Sequence, residues 1–189
     1  MRHVLALSLC CALACPLPAQ TPAGQLPFVT LAAGSKSSGN VGMTAWATDY
    51  GSYDVTFRQS VGIEVKVRNM SRQAESLLMR VIFFAKKAGT NNRSIFSLAD
   101  RKLDMKAGEE LAEVLPSPLM QNRDENYAAI GVRYQYGSKY EGWVVQILTG
   151  DSKQLIRQFG STSYLEDLVN TGVYSEMLAD YRQNAKKKK

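Results

Sequence analysis

Two adjacent apolar stretches between Val61 and Lys87 constrain the fold of this chain more than any other part of its sequence. In the first stretch, three apolar residues alternate with three charged ones: Ile63, Val65 and Val67 with Glu64, Lys66 and Arg68. This period of two predicts a strand with one buried face and one face in water. The second stretch, Leu77–Lys87, is apolar on both faces over most of its length, which predicts a central strand. Because the polar loop Asn69–Ser76 is long for a tight hairpin, we expect the two strands to be joined across a sandwich.

Short strands with turn signals between them continue through most of the chain. The other expected strands, by residue number, are 44–48, 53–58, 94–98, 102–105, 111–115, 127–136, 141–148 and 153–159. Turns are expected where Gly, Asn or Pro interrupt them, because Gly and Asn tolerate positive φ and Pro cannot donate to a sheet. This spacing predicts a mainly β fold, an antiparallel β-sandwich over residues 43–160.

The pattern changes to helical spacing after the last expected strand. Ser163 and Glu166 form the Ser-x-x-Glu capping box of a helix start, and Gly172 is expected to end that helix as a left-handed cap. A second short amphipathic helix is expected to follow. We therefore predict a helical segment over residues 161–183 and a disordered basic tail over residues 184–189.

The first 19 residues have the pattern of a secretory signal peptide. A short basic start precedes an apolar stretch over Val4–Ala14, and small residues lie near Ala19, where cleavage is expected. The apolar stretch is too short to span a bilayer as a stable helix. An alternative places Cys15 at a lipoprotein cleavage site after Ala12–Ala14, which would add a lipid anchor. Both alternatives predict an exported protein, extracellular, periplasmic or associated with an outer membrane.

The histidine and cysteine content of the exported chain excludes several kinds of active site. The one histidine is His3, and the three cysteines are Cys10, Cys11 and Cys15. The mature chain would therefore hold no histidine and at most one cysteine. This excludes Ser-His-Asp and Cys-His catalytic sites and zinc sites built on thiolate or imidazole ligands.

The paired acidic residues do not have the pattern of a catalytic or calcium site. Glu109–Glu110 and Asp124–Glu125 fall in stretches that read as solvated turns, where adjacent side chains point apart. General acid–base catalysis needs two carboxyl groups facing each other across a cleft. The sequence also lacks the alternating Asp-x-Asp-x-Asp run of a calcium loop. We therefore expect a protein that is not an enzyme, with no catalytic, cofactor-binding or metal-binding residues.

The net charge of the chain does not indicate a nucleic-acid partner. It is +6, but the four lysines 186–189 and Arg2 of the signal peptide account for five of those charges, which leaves +1. Binding to duplex nucleic acid needs a basic patch that neutralises several phosphates. A nearly neutral body predicts no nucleic-acid partner.

The segment before the sandwich, residues 20–42, is rich in Pro, Gly, Ser and Ala, which predicts a flexible lead-in. It contains one apolar island, a candidate strand at residues 26–33, in which Phe28, Val29 and Leu31 are candidate interaction residues. An exposed strand can pair with a sheet edge through backbone hydrogen bonds. Two alternatives stay open, since the island could pair with its own domain or with a neighbouring subunit of a homo-oligomer.

Aromatic residues cluster around a hairpin expected at residues 134–143. They are Tyr127, Tyr134, Tyr136, Tyr140 and Trp143. Alternation places Tyr134 and Tyr136 on the core face of their strand, which favours packing, and it makes Trp143 a core anchor. If the hairpin rings were exposed instead, they could stack on sugar rings, and Tyr140 is the candidate interaction residue for that alternative.

One region of the chain resembles a known family. The strand Glu141–Gln146, the Gly150-Asp151 turn and the Ser161–Glu166 helix start follow the order found in small exported immunoglobulin-like proteins of the bacterial phylum Verrucomicrobia, some of them encoded beside pilus-like assembly genes. The early Val-Lys-Val-Arg-Asn strand also resembles strands of many immunoglobulin-like domains. The Cys-Trp-Cys framework of antibody domains is missing from the sequence.

The resemblance implies an immunoglobulin-like sandwich and an envelope- or pilus-associated role, and it supplies no catalytic residue. We therefore expect a structural or adhesive component of the cell envelope. Its partners would be other envelope or pilus-like proteins, or copies of itself. The alternative is a glycan-binding module that uses the exposed aromatic residues of the 134–143 hairpin.

Overall fold

The computed structural model describes residues 26–48 and 51–187, with the backbone alone for residues 37–42. The expected signal peptide and the cysteines lie outside the described residues, as do Asp49 and Tyr50 of the expected turn and the last two lysines. No helix within the described part is long and apolar enough to cross a membrane.

The described chain is mainly β, with two helices at its C-terminal end. The strands are β1 (Val29–Ala47), β2 (Tyr53–Asn69), β3 (Glu75–Lys87), β4 (Arg93–Met105), β5 (Glu110–Pro116), β6 (Met120–Tyr127), β7 (Val132–Thr149) and β8 (Leu155–Gly160). The helices are α1 (Ser163–Leu168) and α2 (Gly172–Lys187). All the strand pairs are antiparallel.

The strands form the two facing sheets of an immunoglobulin-like sandwich, which confirms the predicted fold class. One sheet has the order β1–β2–β5, and the other has the order β4–β3–β7–β8. The strands β2 and β3, which contain the two apolar stretches between Val61 and Lys87, lie in opposite sheets, as the long polar loop between them predicts. Arg157 on β8 donates from Nε to the carbonyl oxygen of Val29 on β1 at 3.1 Å, which ties the two sheets together at one side.

The core between the sheets follows from the alternation in β2. Ile63, Val65 and Val67 are at most 1% exposed, while the charged residues between them reach water. The facing residues come mainly from β3 and β7: Leu77, Met79, Val81, Phe83, Trp143, Val145 and Ile147. Trp143 is a core anchor, as predicted, and its indole N–H donates to Ser35 Oγ at 3.2 Å.

The two helices cover the outer face of the second sheet. Ile82, Phe84 and Val144 point to this side and are fully buried there against α1 and α2. This second apolar layer explains why β3 is apolar on both faces, because a strand covered on both sides has no face in water.

The start of α1 differs by one residue from the predicted capping box. Thr162, rather than Ser163, is the N-cap, and its hydroxyl accepts from the backbone N–H of Leu165 at 3.3 Å. Glu166 Oε1 accepts from the backbone N–H of Gly160 at 2.7 Å. The glutamate therefore bonds to a residue that precedes the N-cap and not to the N-cap itself. The motif located the helix, but two hydroxyl residues in sequence made the capping residue ambiguous.

The end of the chain is more helical than predicted. Gly172 begins α2 and does not end α1, which stops at Leu168 with Val169 as its C-cap. The helix α2 then continues to Lys187, so the predicted disordered tail from residue 184 is wrong as far as the structure describes it. Tyr174 is buried against the sheet at the start of α2, and that contact gives the helix an anchor.

The expected flexible lead-in up to residue 42 is corrected by β1. Residues 29–47 form one strand that pairs with β2, and the candidate strand at 26–33 is its beginning. Register shifts between Ser35 and Ser37 and between Asn40 and Gly42 absorb the irregular Gly/Ser-rich part. Because β2 supplies the backbone partners, this part is a strand despite its low intrinsic preference.

The expected strand over residues 127–136 is also corrected. The chain turns inside it, where Ala128–Ile130 form one turn of 3-10 helix and Gly131 adopts a left-handed conformation with φ of 65°. Tyr127 ends β6, and the next strand, β7, runs without interruption to Thr149. The expected 134–143 hairpin therefore does not exist, and its aromatic residues lie along one strand.

The turn expected at Gly137, inside the predicted hairpin, is wrong. The residue has φ of 80°, but it lies at the point where β7 leaves β6 and joins β3. A Cβ at this position would lie 2.3 Å from the carbonyl oxygen of Gln121. Glycine is therefore needed for the close approach of β6 and does not reverse the chain.

Parts of four strands form a further sheet that lies beyond the sandwich. Residues 43–47 of β1, 53–58 of β2, 121–127 of β6 and 132–137 of β7 form a four-stranded sheet that we call the arm. Of the arm side chains that the structure describes, only Glu125 is buried. The arm therefore has no hydrophobic core of its own.

We predict that Phe83→Ala lowers the free energy of unfolding by about 3–5 kcal/mol, because the truncation leaves a cavity in the core. Chemical denaturation of the two proteins measures this difference. Phe28→Ala is the matched control, since Phe28 is 58% exposed, and its effect should stay within about 0.5 kcal/mol. Equal effects of the two substitutions would contradict the assigned facing of β3.

We also predict that Thr162→Ala costs about 1 kcal/mol, because the Leu165 amide loses its acceptor at the start of α1. Ser163→Ala is the control and should be nearly neutral, since Ser163 is already inside the helix. Thermal unfolding of both variants measures the two losses of stability. A larger loss of stability for Ser163→Ala would show that Ser163 is the N-cap.

Candidate ligand-binding site on the arm

One face of the arm carries most of its aromatic residues. Residues that lie opposite each other in antiparallel strands point to the same side of a sheet, so the registers of the arm define its two faces. We call one of them the tyrosine face, and its aromatic and charged members are Trp46, Asp54, Arg58, Arg123, Glu125, Tyr127, Tyr134 and Tyr136.

The three tyrosines of this face form a continuous row. The rings of Tyr134 and Tyr136 are stacked with centroids 6.1 Å apart and planes at 20°. Tyr127 meets Tyr134 edge-on, with centroids 6.2 Å apart and planes at 71°. Tyr134 and Tyr136 are 45% and 48% exposed, so the expectation that they lie on a core face is wrong. They lie in the first part of β7, which belongs to the arm, and the strand enters the sandwich only after Gly137.

A network of charges lies beside the tyrosines. Arg123 donates to both carboxylate oxygens of Asp54, from Nε at 2.9 Å and from Nη2 at 2.5 Å. Its Nη2 also lies 2.7 Å from Oε1 of Glu125. The indole N–H of Trp46 donates to Asp54 Oδ2 at 3.2 Å, and the hydroxyl of Tyr127 donates to Glu125 Oε2 at 3.3 Å.

This network explains how two carboxylates can face each other in the sheet. Asp54 and Glu125 are directly opposite in the β2–β6 register, and like charges in that position repel. The guanidinium of Arg123 lies between them and holds the pKa of Asp54 below its ordinary value, mainly through its hydrogen bonds. The Glu125 carboxylate in turn raises the pKa of Tyr127. All of these groups are held in one arrangement before a ligand binds.

A shallow groove of about 450 Å³ borders the tyrosine row. Its lining consists of Gln121, Asn122, Arg123, Glu125, Tyr136 and Gly137. This volume is within the usual range for small-molecule sites, roughly 300–1,000 Å³. The groove thus has one aromatic wall, a cation, a carboxylate and the side-chain amide of Gln121.

The opposite face of the arm is held together in a similar way. Arg133 makes a two-pronged ion pair with Asp124 across β6 and β7, with Nε 2.8 Å from Oδ1. This pair holds the pKa of Asp124 below its ordinary value. Both acids of the Asp124–Glu125 pair therefore lie on a strand and not in the expected solvated turn, and they point to opposite faces, as adjacent strand residues do.

The other predicted interaction residues are not brought together. Phe28 is 58% exposed just before β1, Leu31 is half-buried, and Val29 is fully buried in the core. The island pairs with β2 of its own chain, so Val29 contributes to the fold. Tyr140 is half-buried in the sandwich, its hydroxyl has no hydrogen-bond partner in the described structure, and burial raises its pKa to about 12.

The strand β6 was not expected from the sequence, and so Gln121, Arg123 and Glu125 were not assigned to a site. Its segment from Gln121 to Asn126 is polar throughout, so the usual alternation of apolar and polar residues is absent. A signal of period two was still present, because Gln121, Arg123, Glu125 and Tyr127 are the long side chains of one face. Such a pattern fits a strand exposed on both faces.

The tyrosine face offers no metal site of the usual kind. No group of three or more His, Cys, Asp or Glu suited to a metal ion occurs among residues 26–48 and 51–187.

Comparisons with known proteins do not assign a family. No family model and no curated protein matches the chain. Solved structures with partial likeness include Bacteroides uniformis beta-glucuronidase 2 covalently bound to cyclophellitol-6-carboxylate aziridine, at 9% identity and a TM-score of 0.39 over 69% of this chain and 12% of that one. Listeria innocua beta-glucosidase in complex with isofagomine is 17% identical, with a TM-score of 0.31 over 70% of this chain and 16% of that one.

A third is Kluyveromyces marxianus beta-glucosidase in complex with glucose, at 15% identity and a TM-score of 0.29 over 73% of this chain and 15% of that one. The chain thus spans 12–16% of the length of these three proteins. Such weak likenesses assign no activity and no ligand to this chain.

We predict that the fluorescence of Trp46 reports the protonation of Asp54. Because the folded-state pKa of Asp54 is lowered, the Asp54–Arg123 contact contributes stability above the ordinary aspartate pKa of about 3.9 and loses it as the pH falls through the lowered value. An acid titration should therefore show a Trp46 transition with a midpoint below about 3.9.

Arg123→Gln should move that midpoint upward, and Asp54→Asn should abolish the transition. The other tryptophan, Trp143, is buried and supplies a constant background until the protein unfolds. A midpoint that Arg123→Gln leaves in place would contradict the assigned cause of the pKa shift.

Proposed function

We propose that this protein is a non-catalytic glycan-binding module whose site is the tyrosine face and its groove. The observation that carries this proposal is a row of three exposed tyrosines beside an arginine and two carboxylates, on a sheet face that no other part of the described chain covers. Soluble proteins rarely expose contiguous apolar surface without a binding role.

The chemistry of the face suits a sugar ring. A pyranose presents C–H groups on one side and hydroxyl groups around its rim. A tyrosine ring offers a large apolar surface with a polar edge, so Tyr134 and Tyr136 can pack against the C–H side. The rim hydroxyls would then meet donors from Arg123 and Gln121 and an acceptor from Glu125 in the groove.

The lowered pKa of Asp54 supports binding over hydrolysis. Glycosidases use one carboxylic acid whose pKa is raised, so that it can protonate the leaving group. The pKa of Asp54 is instead lowered by Arg123, and Glu125 is in contact with the same guanidinium. An Asp54 carboxylate whose pKa is lowered is suited to accepting hydrogen bonds and not to protonating a leaving group.

A glycan site also fits the adhesive part of the role expected from the sequence. Export, envelope location and partners among pilus-like proteins rest on the sequence and its resemblance alone, and they stay predictions. A module that binds polysaccharide would let an adhesive envelope protein attach to a glycan-coated surface. It would work without any catalytic residue.

The decisive variant is Tyr136→Ala, because Tyr136 is both part of the stacked pair and a wall of the groove. After a glycan array has identified a bound oligosaccharide, calorimetry should show that Tyr136→Ala weakens its binding by about tenfold or more, as truncation of a central aromatic contact does. Tyr136→Phe should retain most of the affinity, because the ring surface is kept.

Tyr164→Ala is the matched control, since Tyr164 is 49% exposed and lies on α1, away from the arm. It should bind like the unmodified protein. An array on which no glycan binds, or equal losses in the two alanine variants, would overturn the proposal.

A further inference from the structure

A second pocket lies at the turn between β3 and β4, and lysines dominate its lining. Its volume is about 380 Å³, within the usual range for small ligands. Lys86 and Lys87 come from the end of β3, Lys139 comes from β7, and Thr90 and Gln135 complete the polar wall. Neither the glycan proposal nor the fold requires three cations at this place.

Two of these lysines form a pair that is unfavourable by itself. Lys86 and Lys139 are directly opposite in the β3–β7 register, where like charges destabilise a sheet. Within residues 26–48 and 51–187, none of the three lysines takes part in an ion pair with a carboxylate. The repulsion is therefore not relieved by an ion pair among the described residues.

Two acids near this pocket are already engaged. Glu141, two residues after Lys139, pairs with Arg93. Asp124 contacts Gln135 and is near enough to Lys139 to feel its charge, but its carboxylate accepts two hydrogen bonds from Arg133 and one from Gln135 Nε2 at 3.0 Å. This leaves the lysines to be neutralised by something from solution.

The backbone of the turn leaves room for a compact ligand. Gly89 has φ of 75°, and a Cβ there would come within 3.2 Å of the Gln135 side chain. The Ala88 N–H donates to the Gly137 carbonyl at 3.0 Å, which fixes the turn against β7. A residue with a side chain at position 89 would be strained and would fill part of the pocket.

We infer that this pocket binds an oxyanion, a phosphate or sulfate group. Lys86 and Lys139 lie side by side on one face at this concave site, and two ammonium groups so placed are suited to a compact multivalent anion, for which lysine acts as a point-charge partner. The group would be either a free inorganic ion or an ester carried by a polysaccharide. This inference is independent of the glycan proposal, because the lysines and the tyrosine row use different residues and lie on different parts of β7.

The first test uses inorganic phosphate and sulfate and follows the thermal midpoint of the purified protein. At constant ionic strength, replacing chloride by either anion should raise the midpoint with a saturable dependence on its concentration, as mass action requires for a specific site. Sulfate and phosphate also stabilise proteins in general by exclusion, but that effect does not saturate.

Lys139→Met separates a binding site from ordinary surface charge. In chloride it should raise the thermal midpoint, because it removes the repulsion with Lys86, and it should remove the saturable response to phosphate and sulfate. Lys66→Met is the control, since it changes the net charge equally on an exposed position of β2 and should keep that response.

The second test distinguishes the two sources of the anion. A sulfated heparin hexasaccharide and its desulfated form are compared by calorimetry, and a carried ester predicts that only the sulfated form binds, about tenfold more weakly to Lys139→Met. Saturable binding of the inorganic ions alone would assign the pocket to a free anion. A wild-type protein without any saturable response, or one whose response falls equally in Lys66→Met, would overturn the inference.

Discussion

The structure depends on the burial of β3 on both of its faces. One face, with Met79, Val81 and Phe83, packs on the alternating apolar residues of β2 in the opposite sheet. The other face, with Ile82 and Phe84, needs a separate cover, which the helices supply. A two-sheet sandwich alone would leave those two side chains in water. The C-terminal helices are therefore a requirement of the β3 sequence, and the fold has three layers at this place.

Three strands of the sandwich are longer than the sandwich and extend beyond it. β1, β2 and β7 are 19, 17 and 18 residues long, whereas strands in globular proteins usually have about 3–10 residues. The excess length forms the arm, in which burial of apolar surface contributes little. Its strands are instead linked by ion pairs between side chains, Asp54–Arg123 on one face and Asp124–Arg133 on the other. Such a sheet belongs to the less stable parts of a protein, because few buried contacts hold it.

This division explains which parts of the fold could be predicted from the sequence. Where a strand faces the core, as β2 does, hydrophobic alternation determines its type, its facing and its burial, and those predictions are confirmed. In the arm the alternation is between polar side chains, so β6 was not recognised. The run from Ile130 to Tyr136 did alternate, but the period alone could not show that its apolar face had nothing to pack against.

Glycines and hydroxyl residues were a second source of error, because each has more than one use. Gly137 was read as a turn and is instead a close contact between strands, while Gly172 was read as a helix end and is a helix start. Thr162 and Ser163 can both cap a helix, and only the backbone geometry decides between them. Local residue preferences locate such features within a residue or two, and tertiary packing decides their role.

The position of the aromatic residues on the arm is the strongest argument that it has a function beyond structure. Strand formation on an exposed sheet is served by threonine, valine or charged residues, and it does not require three neighbouring tyrosine rings in water. Ion pairs already join β2 to β6 and β6 to β7, so the tyrosine rings are not needed to connect these three strands. They are nevertheless packed against each other in one arrangement, which reduces the entropy that a ligand would have to overcome on binding. An arm without a core and with a preorganised aromatic row is therefore better explained as a binding surface than as a stabilising part of the sandwich.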